Sequence, residues 1–140
     1  VPYGTTKLPR NRFLSWPQIK TLQQSGLVEI ASHSDNLHRG QAGNPMGSEF
    51  AAALSGYYRN GRYETAEEYR HRIEADLKTS ADKIERHTGV RPRIIVWPYG
   101  QFNQTAVNIA RKTGFDGSFS LYDRRLNPSF RRPYRPCNVR

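Results

Sequence analysis

The sequence predicts an α/β fold in which parallel strands are joined by helices. Segments of strand length stand at residues 27–31, 93–97 and 115–121, and the middle one is rich in β-branched residues. Helical patterns separate them, so consecutive strands run the same way and pair in parallel. Gly26, Gly89, Pro98 and Gly114 punctuate the boundaries. Three strands are too few to close a barrel, which leaves an open α/β layer or part of a larger (β/α) barrel.

Each element has its own local signal. Ser15 is placed to cap a first helix, with Pro17 in its first turn, Ile19 and Leu22 on one side and Gly26 at its end. Residues 27–31 follow as a buried strand. Residues 33–47 are rich in Gly, Asn and Ser and are expected to form a loop. Residues 49–55 are expected as a short helix, and residues 56–63 as a turn carrying Tyr57, Tyr58 and Tyr63. Thr65 and Glu68 make a capping-box pattern. Tyr69, Ile73, Leu77, Ala81 and Ile84 then recur at spacings of four and three, which predicts a long helix ending near Gly89. A strand over 93–97 stops at Pro98, a helix over 103–113 is closed by Gly114, and residues 115–121 form the last strand. The arginine- and proline-rich tail, residues 122–140, is expected to be irregular.

At 140 residues the chain fits one domain. Its hydrophobic content of 36% is low for a self-contained α/β domain, so a piece of a larger unit fits as well. No run approaches the roughly 18 apolar residues of a membrane span. The first residues, from Val1 to Gly4, lack a charged and then apolar stretch, so no leader peptide is read there. The net charge of +10, from 22 basic and 12 acidic residues, suits nucleic acid, an anionic membrane surface or an acidic polymer. The excess gathers in the tail after Asp123, where Arg124, Arg125, Arg131, Arg132, Arg135 and Arg140 stand without an acid. Nucleic-acid binding is not the expected function, but this tail keeps it as an alternative. Cys137 is the sole cysteine, which excludes an internal disulfide and a cysteine-rich zinc site.

Two segments carry candidate chemistry. The apolar run ending at Ala31 leads directly into His33 and His38, with Asp35 between them. A strand end that delivers two imidazoles to one loop can hold a divalent metal in an open cleft, because zinc-type metals accept neutral imidazole nitrogen. Five-residue spacing is poor within an ideal helix, where four is matched, and the pair also reads as two surface histidines. Asp35 can coordinate, orient a ligand or cap a turn. The second segment is the strand from Arg93 into Trp97, Pro98, Tyr99 and Gly100. It places an aromatic wall and a bare backbone at a strand's C-terminal end, where parallel α/β folds bind ligands. The Tyr99 backbone N–H can face a developing oxyanion, and Gly100 permits close approach. The plain alternative is an ordinary strand-to-helix turn. Asp116 reads as part of a strand entry rather than a catalytic base, and the tyrosines at 57, 58 and 63 as packing or loop anchors before sugar-stacking groups.

Taken together, Ser15 to His38 and Arg93 to Gly100 make the chain resemble the polysaccharide deacetylases, family 4 of the carbohydrate esterases. Within them it looks most similar to the bacterial poly-N-acetylglucosamine deacetylases of biofilm export. The first segment matches the family's helix, strand and histidine motif, the second its Arg-to-Pro-Tyr-Gly groove motif. Residues 103–121 fit the helix and strand that follow, so the resemblance covers residues 15–121.

The resemblance implies part of a distorted (β/α) barrel of the NodB homology type, with residues 1–140 as its C-terminal portion. It implies a divalent metal (Zn, Ni, Co or Fe) bound by Asp-His-His, with His33 and His38 as the histidine ligands. The metal activates water for attack on the acetamide carbonyl, a second Asp acts as base and a His as acid. Tyr99 would supply the oxyanion contact, Arg93 would orient the catalytic Asp, and Trp97, Pro98, Tyr99 and Gly100 would line the sugar groove. Many relatives carry the arginine nearer the proline, where Val96 stands here. The family's Asp-Asp turn and its Leu-x-His motif are absent from this sequence, so the base, the third ligand and the acid are expected from elsewhere, most simply an earlier segment of the same domain. The implied substrate is a poly-N-acetylglucosamine polymer and the implied location periplasmic or outer-membrane associated, and a C-terminal domain can follow. The alternative is a carbohydrate-binding remnant that kept the groove and lost the chemistry.

Overall fold

The computed structural model describes residues 13–121. The basic tail and Cys137 lie outside the described residues, as does the expectation that the tail is irregular.

Helix α1 spans Trp16–Gln24, and Ser15 and Gln18 form a reciprocal capping box at its start. Its C-cap is Ser25, and Gly26 follows in the left-handed region at φ 72°. Helix α2, Ala66–Thr88, is the spine of the structure. Thr65 and Glu68 cap it reciprocally, Glu67 and Glu68 lie at its positive end, Arg86 and His87 at its negative end, and Gly89 closes it at φ 82°. Its stripe of Tyr69, Ile73, Leu77 and Ala81 is buried, as the spacing of four predicts. Each large apolar side chain buried this way contributes about 1.5–3 kcal/mol. α2 packs against α1 and against α3, Gln104–Lys112, whose Ala106, Val107, Ile109 and Ala110 complete the core with Ile95, Trp97 and Phe115.

Strand β5, Ile94–Val96, pairs in parallel with β6, Gly117–Phe119, with Ile94 opposite Gly117. On its other edge β5 makes an isolated parallel bridge from Ile95 to Ser32. The expected parallel order is therefore present with β5 in the middle. Among the described residues it forms a short open sheet, and no barrel closes.

Three local expectations are corrected. Residues 27–31 do not form a buried strand: Leu27 is 91% exposed, and the chain joins the sheet only at Ser32. This segment has no partner ladder among the described residues, and an extended run without one has nothing to bury its alternating side chains. Residues 49–55 do not form a helix. Glu49–Ala51 is strand β2, antiparallel to β1 at Gly40–Ala42, which lies inside the expected loop. A helix of seven residues repays little of its nucleation cost, whereas Ala51, Ala52 and Ala53 are small enough to pack in the core beneath α2. Residues 56–63 are a turn, but an ordered one. β3, Tyr58–Arg59, and β4, Arg62–Tyr63, form a hairpin around Asn60 and Gly61, both at positive φ. Asn-Gly is the residue pair such two-residue hairpin turns favour.

This β1–β4 insertion is tied to α2 by buried polar contacts. Arg72 pairs with Glu64 at 2.7 Å and donates to the carbonyls of Ala52 and Ser55. The Tyr69 hydroxyl donates to the Ala53 carbonyl at 2.6 Å, and burial pushes its pKa up to about 12.

Candidate metal centre at the strand ends

Backbone pairing delivers the first histidine. The Ser32 N–H donates to the Ile94 carbonyl at 2.9 Å, and the Val96 N–H donates to the Ser32 carbonyl at 2.8 Å. His33, the next residue, therefore emerges at the C-terminal end of β5. Its Nδ1 lies 2.9 Å from the Val96 carbonyl. A carbonyl only accepts, so Nδ1 carries the proton and Nε2 keeps its lone pair. Burial holds the His33 pKa below its usual value, the Val96 carbonyl opposes this, and His38 nearby lowers it further. The neutral imidazole is the form a metal accepts.

The chain then turns sharply. Ser34 sits at φ 70°, a left-handed conformation that costs an L-residue about 1–2 kcal/mol. Its hydroxyl accepts the Leu37 N–H at 3.2 Å, and Leu37 buries in the core. This turn brings His38 back, so that the two imidazoles meet edge to face with centroids 4.8 Å apart. The Tyr99 ring packs against His38 edge to face, with centroids 4.6 Å apart. The Nδ1 of His38 is buried and has no hydrogen-bond partner among the described residues. Two imidazoles brought together, one with its outer nitrogen free and the other with a buried unsatisfied nitrogen, fit the nitrogen share of a zinc-type site. Among the described residues no group of three His, Cys, Asp or Glu side chains shares such a point, so the histidines fit two ligand positions and a further ligand is required.

The 3₁₀ turn Pro98–Gly100 closes β5. Tyr99 stands in the left-handed region at φ 56° and is 42% exposed. Its backbone N–H donates to no acceptor among the described residues. The neighbours differ from an aromatic wall. Trp97 is only 1% exposed and stacks on Phe102 at 5.3 Å, inside the core. Pro98 and Gly100 are also buried. A Cβ on Gly100 would stand 2.6 Å from the Leu121 backbone nitrogen, so this glycine serves the close passage of the chain at Leu121. Of the groove segment, only Tyr99 presents a side chain beside the histidines.

Arg93 is not brought to this cluster. It precedes Val96 by three residues, roughly 10 Å along a strand, and its guanidinium forms two bonds of 3.1 Å to Glu29. Asp35 pairs with Lys83 of α2. Asp116 is exposed, with its N–H on the Arg93 carbonyl at 2.7 Å.

One participant escapes sequence reasoning. Asp76 of α2 accepts the Asp35 N–H at 2.9 Å and the Asn36 N–H at 2.7 Å, one on each carboxylate oxygen. Burial pushes its pKa up, and the two N–H groups pull it back. Its only sequence signal is position: a carboxylate next to Leu77, at the margin of a buried stripe, where an acid needs a partner.

This fold is that of a known class. The chain belongs to the polysaccharide deacetylase family, whose pattern matches residues 4–118. It is 36% identical over 131 residues to the poly-beta-1,6-N-acetyl-D-glucosamine N-deacetylase of Escherichia coli strain K12, covering 92% of this chain and 20% of that protein. It is 22% identical over 125 residues to the enzyme of that name from Staphylococcus epidermidis, covering 89% and 37%. Among solved structures, it is similar to a de-N-acetylase from Aggregatibacter actinomycetemcomitans at TM-score 0.82 and 47% identity, over 91% of this chain and 48% of the other. The BpsB deacetylase domain from Bordetella bronchiseptica superposes at TM-score 0.78 with 48% identity, over 83% and 46%. The chain thus spans about a fifth of the E. coli relative and under half of either solved chain.

Proposed function

We propose that this chain is the C-terminal portion of a metal-dependent N-deacetylase domain that acts on poly-N-acetylglucosamine during export of a biofilm polymer across the cell envelope. The observation that carries the reading is the meeting of His33 and His38 beside Tyr99 at the end of β5. A divalent metal bound there would polarise the acetamide carbonyl and activate water.

The chain's own groups take defined parts. His33 and His38 are the nitrogen ligands, and the Val96 carbonyl fixes the His33 tautomer. The Tyr99 N–H is the free backbone donor for negative charge that develops on the carbonyl oxygen, and its exposed ring offers a face for a sugar. Arg93, held by Glu29, takes no part in this reading. Neither does the Trp97 ring, which supports the turn from inside the core. The carboxylate ligand, the base and the acid come from outside this sequence.

The test is metal content and acetate release in the whole enzyme carrying His33→Ala or His38→Ala. Each variant is expected to lose bound metal and to reduce acetate release from poly-N-acetylglucosamine by at least about 100-fold. Unchanged metal content and activity in both would sink the assignment. Sugar binding that ignores chelators would instead identify a carbohydrate-binding remnant.

A further inference from the structure

We propose that Asp76 is a positioning residue for the histidine pair: by accepting the Asp35 and Asn36 N–H groups, it fixes the turn that sets His38 against His33. The proposal rests on the metal reading of these two histidines.

His33 is held by β5, so its place is set by the sheet. His38 is not on any strand or helix; its place depends on the path of residues 34–37. That path begins at Ser34 in a left-handed conformation that a serine does not favour. The Ser34 hydroxyl on the Leu37 N–H holds one side of the turn from within the loop, and the peptides between them are held from outside it. The next two N–H groups, from Asp35 and Asn36, both point to the Asp76 carboxylate, one to each oxygen. Two consecutive donors converging on one fixed anion define the orientation of both peptide planes, and a carboxylate bonds such donors more strongly than a neutral acceptor does. α2 makes two more contacts along the same face. Ser80 shares a hydrogen bond of 2.5 Å with Ser32, and Lys83 pairs with Asp35. Residues 76, 80 and 83 are spaced four and three apart, so one face of one helix grips the loop at its start and its middle. Helix α2 is capped at both ends and buried along its core stripe, which makes it a frame for a site otherwise made of loop. Asp76 lies closer to the loop middle than the other two contacts and holds its backbone rather than a side chain.

The experiment compares Asp76→Ala, Asp76→Asn and His33→Ala in the whole protein. One readout is Zn²⁺ affinity, by competition with a chromogenic chelator. The other is amide hydrogen exchange in the metal-free protein, over a peptide covering residues 33–38 and a reference peptide in α3. Asp76→Ala is expected to weaken Zn²⁺ binding by about 10–100-fold and to speed exchange at residues 35 and 36 while α3 keeps its protection. Asp76→Asn retains one carbonyl acceptor and falls between wild type and alanine. Should the alanine variant fail to fold, the asparagine variant decides by the same two readouts. Wild-type Zn²⁺ affinity in the folded variant, or unchanged exchange at 35 and 36, overturns the positioning role. So does a loss of protection equal in the loop and in α3, which marks a purely structural part. His33→Ala separates the two claims. Undiminished Zn²⁺ binding there removes the metal reading and the positioning role with it. Lost binding there, with none lost in Asp76→Ala, overturns the positioning role alone.

Discussion

Tyr99 and Gly100 form consecutive left-handed residues, at φ 56° and 66°, and the pair shows how backbone geometry sets side-chain fate at the site. The reversal at Tyr99 turns its ring out toward His38, while Gly100 dips under the chain at Leu121. An alanine at 100 would meet the Leu121 backbone nitrogen at 2.6 Å and Cβ at 2.8 Å. Gly100→Ala is therefore expected to lower the unfolding free energy by about 1–3 kcal/mol, read as a fall in the urea midpoint. An unchanged midpoint would mean that the Leu121 segment yields freely. The meeting of His33 and His38 was legible in part: two imidazoles five residues apart state a chemical possibility, although the buried strand expected before them is reduced to one bridge at Ser32. Trp97 and Arg93 were not. In a strand, alternate side chains take opposite faces, and which face is core depends on helices that pack from elsewhere. Trp97 falls on the inner face against Phe102, and Arg93 finds Glu29 across 64 residues of sequence.

The elements divide by how local their causes are. α2 follows from its own residues: two caps and a stripe suffice, and both its predicted start and its end at Gly89 hold. Its first turn also has a measurable pH signature. Hydrogen bonds from Arg62, then the Thr65 N–H, hold the Glu68 pKa at about 2, against an ordinary value of 4.5. A lowered folded-state pKa contributes stability above pH 4.5 that disappears as the pH falls toward about 2. Wild type is accordingly expected to be more stable than Glu68→Gln at neutral pH, with the difference shrinking over that window in urea titrations. A constant difference down to pH 2 would show that these partners do not hold the carboxylate. β2 and the run at 27–31 have causes that are not local. Whether residues 49–51 coil or extend is decided by Gly40–Ala42 lying alongside, and whether Leu27 is buried is decided by what flanks it. No periodicity within either segment carries that information.

At the scale of the molecule, β5, β6 and Ser32 reproduce the parallel order that the alternating strands and helices predict. The family likeness extends this to a larger domain of which the chain spans under half in its solved neighbours. The parallel arrangement also sets a time order. α2 closes its contacts within a few residues, but His33 meets Val96 across 63 residues of chain, and such distant closures are slow and late. The site is therefore expected to form with the finished structure rather than in the folding nucleus. An ion that binds it would act as a latch on the native state: saturating Zn²⁺ is expected to slow unfolding in stopped-flow denaturant jumps and to leave the refolding rate nearly unchanged. Faster refolding in Zn²⁺ would place the histidine pair in the transition state instead. On that account the metal supply would govern the protein's endurance once folded more than its speed of folding.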